Sequence, residues 1–202
     1  MATARALPNT VNGVAVDELS STIDAIGQAP AMANFRFRIR NQWIDGAHSH
    51  STTSTFHGAG CEQPRTRPFV LEADEPPIRL GKDLAANPAE YLLHALAACL
   101  TTSVVYHAAA RGIHLEEIES TLEGAVDLQG FLKLDPNIRT GLQGIRVKFK
   151  IKADVPDEQL EEILKLGTDH SPVFDSLTNG VPISVSVDRL LHWSVDNPGV
   201  SL

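Results

Sequence analysis

The clearest pattern in this sequence is strict alternation. From Ile145 to Lys152, Ile145, Val147, Phe149 and Ile151 alternate with Arg146, Lys148, Lys150 and Lys152. Period two puts one set on a buried face and the other in solvent, so a strand with a basic outer face is predicted. Ile118 to Leu128 alternates through Leu122, Gly124 and Val126 and predicts a second strand. Near the start, Phe35, Phe37 and Ile39 alternate with Arg36, Arg38 and Arg40, predicting a strand over 34–40. Trp43 precedes Asp45-Gly46, a hairpin turn signal, and the Ser/Thr-rich run His48 to Phe56 reads as the returning strand. Gly58 to Arg67 reads as loop, Phe69 to Glu72 as a short strand, and Val181 to Val187 as the last strand.

Helices show as a change of period. Asn87 is suited to an N-cap, Pro88 to the first helical position and Glu90 to a capping box. The helix then runs through Tyr91–Ala110 to Gly112, a natural residue for the C-terminal turn. Its faces are apolar or small nearly all round, which predicts burial on most sides. Ala95, Ala97, Ala98, Ala108, Ala109 and Ala110 would let another backbone approach, as in a core or a subunit interface. Asp157 to Leu166 is a second helix that opens with acids and is expected to stop at Gly167. Val16 to Ile26 makes a short amphipathic helix closed by Gly27 and Pro30. Runs of strands broken by helices predict an α+β fold with antiparallel pairing. Residues 1–33 are expected to form an extension, 34–190 the domain and 191–202 a tail.

Composition narrows the function classes. The chain has 202 residues, 43% hydrophobic and 21% charged, enough to bury a sizeable core. A net charge of −8 argues against nucleic acid or an anionic membrane as the main partner. No uninterrupted apolar run reaches the roughly 18 residues of a membrane span. The N-terminus lacks a basic stretch followed by an apolar run, so it does not read as a signal peptide, and a cytoplasmic location is expected.

Only two cysteines are present, Cys61 and Cys99, without metal-ligand spacing, and no metal or other cofactor is expected. A buried cysteine is more often packing than chemistry. By helix geometry Cys99 shares a stripe with Leu92, Ala95, Leu96, Thr102, Ser103 and Tyr106, which supplies no cation. His48, His50 and His57 read as exposed strand histidines rather than ligands. His94 and His107 sit in poor register with Cys99. Asp169-His170-Ser171 reads as a helix-end turn, because neighbours in sequence rarely converge on one point.

The run Arg67–Ile113, with Asn-Pro, an acidic residue and a buried helix carrying an Ala-Cys step, resembles the OsmC-like family, which includes the Ohr hydroperoxide reductases. Ser120–Asp135, the basic strand and His170–Val187 fit as well, so the resemblance covers about Phe35 to Val187. It implies a swapped homodimer with antiparallel sheets wrapped around two long central helices. It implies a thiol peroxidase that reduces small organic hydroperoxides and is recharged by a dithiol or other external thiol. Cys99 takes the position of the reactive thiol, with an arginine and a glutamate to hold the thiolate. The arginine candidates are Arg36, Arg38, Arg40, Arg65 and Arg67. Ala89 stands where the family has its glutamate, which leaves neighbouring Glu90, roughly 100° around the helix, as the candidate carboxylate. Ser171 stands where the family has its second cysteine, leaving Cys61 as the candidate resolving thiol. The alternative expectation is a non-catalytic dimer of the same fold that binds a small apolar or thiol-bearing ligand. A cysteine hydrolase is a weaker third reading, since no histidine base has a convincing register.

Overall fold

The computed structural model describes residues 9–188. Strands β1 (Thr10–Val11) and β2 (Val14–Ala15) pair across Asn12 and Gly13. Both turn residues have positive φ, 52° and 77°, the conformation an Asn-Gly hairpin turn requires. The Asn12 amide donates to the Ile113 carbonyl (2.8 Å), and its oxygen accepts from the Leu115 N–H (2.9 Å). Those two bonds and buried Val11 tie the N-terminal segment to the middle of the chain. Helix α1 (Val16–Gln28) follows, then a 3₁₀ turn at Pro30–Ala33.

The segment 34–39 is not a strand. It makes a single bridge, Arg36 to His57, because the hairpin partner is taken one element later. β3 (Arg40–Asp45) pairs with β4 (His48–Thr53) across the expected Asp45-Gly46 turn. The returning strand stops at Thr53, and what reads as loop in the sequence holds a second hairpin. There β5 (Phe56–Gly58) pairs with β6 (Cys61–Gln63) across Ala59 and Gly60, both at positive φ. β7 (Phe69–Ala73) completes a sheet of order β3-β4-β7.

Between β7 and the long helix, a tight loop closes on a buried carboxylate. Asp74 is 1% exposed and accepts from the backbone N–H groups of Lys82 (3.0 Å) and Leu84 (3.2 Å). Within this loop Gly81 is pressed on the Glu75 carbonyl, where a Cβ would come within 1.7 Å. The loop delivers Asn87 to the start of α2 (Pro88–Ala110). The capping box forms as expected: Asn87 Oδ1 accepts from Glu90 N–H (3.0 Å), and Glu90 Oε2 from Asn87 N–H (2.8 Å). Gly112, at φ 67°, ends the helix.

β8 (Leu115–Val126) and β9 (Leu142–Ala153) form a long hairpin, interrupted by the short helix α3 (Leu128–Phe131). α3 claims Leu128 from the expected strand because Asp127 caps it, accepting from Gln129 N–H (2.9 Å). The basic face of β9 is neutralised by β8. Lys150 meets Glu119 (3.2 Å), Arg146 meets Glu123 (3.6 Å), and Lys152 pairs with Glu116.

α4 (Asp157–Asp169) packs on α2 around Val104, Ala108 and Ile163, all at most 1% exposed. Gly167 does not end this helix; it lies inside it, where α4 crosses Val104 too closely for a side chain. α4 stops instead before Pro172, and α5 (Pro172–Asn179) begins there. The residue before a proline disfavours the helical region, so the second central helix comes in two pieces.

α2 is less enclosed than its composition predicts. Leu96, Leu100, Val104, Ala108 and Ala109 are buried, but Leu92 and Tyr106 are exposed, because the packing of α2 comes mainly from α4, α5 and β8 and leaves these two uncovered. Val181–Val187 forms no strand among the described residues: no neighbouring edge pairs with it, and its alternate apolar side chains stand in solvent. The expected tail, 191–202, lies outside the described residues.

Candidate functional site

Cys99 sits on α2 at the edge of its buried stripe and is half-buried. The approach of α4 to α2 brings Ser171, 72 positions later, against it. The Ser171 hydroxyl donates to Cys99 Sγ at 3.1 Å. Ser171 is also the N-cap of α5, its Oγ accepting from the Phe174 N–H at 3.3 Å. Cap geometry therefore sets where the hydroxyl points. A Ser-Pro pair followed by an amphipathic turn is a helix-start signal that the sequence carries. That the cap faces the thiol is set by the α2–α4 crossing.

One turn before Cys99 along α2, an apolar cleft of about 380 Å³ opens between α2, α5 and the start of β9. Leu92, Leu96, Ile145, Phe174 and Leu177 form its walls, and Arg139 stands among its polar lining groups. Such a cleft suits a small ligand with a largely organic body; Cys99 lies outside its lining, about one turn of α2 beyond Leu96.

The other candidates lie elsewhere. Glu90 is held in the capping box, nine residues and so about 13 Å of helix rise from Cys99. Arg36 pairs through its backbone with His57. Arg38 makes a two-pronged ion pair with Glu62 (2.8 and 2.9 Å). That hydrogen-bonded pair raises the arginine pKa and lowers the carboxyl. Arg40 lines a depression with Gln42, His50 and Thr52. Arg65 lies over the rings of Phe56 and Phe69, 5.2 Å from each. Arg67 is exposed. Among the described residues no hydrogen bond joins any of these arginines to Cys99. Cys61 is exposed on β6, its sulfur accepting from Gln63 Nε2 (3.1 Å), and both cysteines are free thiols.

The histidines also separate. His48 contacts Glu72 (2.6 Å) and His57 contacts Glu62 (3.6 Å), and no group of three metal-ligating side chains occurs among the described residues. His107 packs against His170 with ring centres 5.2 Å apart. Burial, then the His170 and Arg111 charges, push the His107 pKa down.

A family model described as OsmC-like protein matches residues 81–186. The fold is similar to that of an OsmC-like protein from Mycoplasma pneumoniae, at 17% identity and a TM-score of 0.54, covering 76% of this chain and 96% of that one. It is similar to a putative osmotic stress induced and detoxification response protein from Psychrobacter arcticus, at 14% identity and 0.53, covering 70% and 88%. It is similar as well to an organic hydroperoxide resistance protein OsmC from Legionella pneumophila, at 17% identity and 0.52, covering 71% and 90%. At these identities the likeness establishes the α+β fold with antiparallel sheets, and the roles of individual residues rest on geometry. Comparison with curated protein sequences gives no match.

Proposed function

The chain belongs to the OsmC-like protein family, and from that premise we propose that it is a thiol-dependent peroxidase for organic hydroperoxides, working through a sulfenic acid on Cys99. The observation that carries this reading is Cys99 itself, half-buried about one turn of α2 beyond an apolar cleft, with a hydroxyl donor 3.1 Å from its sulfur. The name of the Legionella relative, a hydroperoxide resistance protein, agrees with it. The Cys99 thiolate attacks one peroxide oxygen; the S–O bond forms as the O–O bond breaks, and the departing alkoxide takes a proton to become an alcohol. Ser171 cannot form a disulfide, so an external thiol attacks the sulfenic sulfur and expels water. A second thiol, or the other arm of a dithiol, then releases Cys99. A reducing compartment such as the cytoplasm supplies that reductant.

The reading includes a homodimer. Phe35, Phe37, Trp43, Ile183, Val185 and Val187 are each at least half exposed in one copy, and a second copy would cover them. It would also provide an edge for 181–187.

One observation favours a second reading, a non-catalytic dimer that binds a small apolar or thiol-bearing ligand. Glu90 is spent in the helix cap, and among the described residues no cation is hydrogen-bonded to Cys99. Consumption of cumene hydroperoxide with dihydrolipoamide separates the two. Wild type and Cys61→Ser are expected to turn over and Cys99→Ser is not. Equal rates for wild type and Cys99→Ser would rule out the peroxidase.

A further inference from the structure

Ser171 is one of two buried polar residues in the described chain, at 1% exposure, and every polar atom it has is engaged. Its N–H donates to Thr168 O (3.2 Å), and its carbonyl accepts from Asp175 N–H (3.0 Å). Its Oγ accepts from Phe174 N–H, and its hydroxyl proton goes to Cys99 Sγ. Pro172 further restricts its backbone. The hydroxyl is therefore fixed before any reaction.

From this we propose that Ser171 is a positioning residue for Cys99: its hydroxyl holds the sulfur in one orientation and stabilises negative charge on it. The inference rests on the reading of Cys99 as the reacting thiol. A neutral thiol is a weak acceptor and a thiolate a strong one, so the bond strengthens as the sulfur gains charge. The N–H at the start of α5 polarises the Ser171 O–H and makes it a better donor. The proton stays on Oγ throughout, so the serine is neither base nor nucleophile. At the position where a cysteine would trap the oxidised sulfur covalently, this chain keeps only a hydrogen bond, and the sulfenic acid persists until an external thiol reaches it.

The test compares two near-isosteric replacements, Ser171→Thr and Ser171→Val, in the full-length protein. Alkylation of Cys99 by iodoacetamide at fixed pH is followed by mass spectrometry, with near-UV circular dichroism to verify folding. Threonine keeps the donor and is expected to react at close to the wild-type rate; valine is expected to be slower by about tenfold, the scale of a hydrogen bond to a charged group. Equal rates for the two variants overturn the proposal. A third variant, Ser171→Cys, does not depend on how valine folds. One equivalent of cumene hydroperoxide should convert it to an intramolecular disulfide with Cys99, where wild type shows a dimedone-trappable sulfenic acid. Failure of that disulfide to form with diamide, a thiol oxidant that needs no peroxidase activity, overturns the geometry. If wild type consumes no hydroperoxide yet the alkylation order holds, the peroxidase reading fails and the role of Ser171 stands.

Discussion

Gly167→Ala probes the contact on which the site depends. A Cβ at Gly167 would lie 2.5 Å from Val104 Cγ2, 2.8 Å from Val104 N and 2.9 Å from Val104 Cα. Carbon pairs ordinarily settle at about 3.5–4.0 Å, so α4 would have to withdraw by about 1 Å. Val104 can rotate its methyl away but not its backbone, and it sits with Ala108 and Ile163 in the buried cluster. Replacing a helical glycine by alanine contributes about 1 kcal/mol of helix propensity. Overpacking costs about 1–3 kcal/mol, towards the upper end when the obstacle is backbone. The expected net loss is about 1–2 kcal/mol. With a urea dependence of about 2 kcal/mol per molar, the unfolding midpoint falls by about 0.5–1 M at unchanged slope. Protein concentration must be held fixed, since the midpoint of any chain that self-associates varies with it. Ser171 lies one turn beyond Gly167, so Cys99 alkylation should slow in the same variant. A midpoint equal to or above wild type would refute the close crossing of α2 and α4 at Gly167.

Two further outcomes are expected. Burial alone would raise the Asp74 pKa, but the backbone N–H groups of Glu75, Leu84 and Lys82 outweigh it and hold the carboxyl below the usual range. A folded pKa below the unfolded value of about 3.9 gives stability that is present above that pH and lost as pH falls through it towards the folded pKa. Asp74→Asn should therefore flatten the fall in urea midpoint between pH 6 and pH 3, and parallel curves would exclude the effect. Asn12→Gly keeps the positive φ but removes both bonds to residues 113 and 115. It should cost about 1–3 kcal/mol for two partly buried hydrogen bonds. Faster hydrogen exchange at the Leu115 amide is the check, and unchanged exchange would mean that the bonds carry no stability.

What the sequence determined by itself was local. The capping box at Asn87 and Glu90, the Asp45-Gly46 turn and the alternation of β9 involve residues within a few positions of one another. Backbone geometry and burial period decide such features wherever the segment ends up. The same holds for Cys99, whose helix and register were legible from spacing. Features that depend on a distant partner were not. Gly167 looks like a helix end until Val104 is seen beside it, because a glycine chosen for close approach and one chosen for positive φ are identical in sequence. The arginines near the N-terminus were open candidates for the thiol, and within this chain Arg38 is claimed by Glu62 and Arg65 by two aromatic rings. Val181–Val187 has the alternation of a strand but no edge among the described residues, and a strand exists only as a pair. Ser171 read as the loss of a resolving thiol. Tertiary structure alone decided that its hydroxyl would be turned onto Cys99, because the crossing of two helices, not the chain between them, sets that 3.1 Å contact.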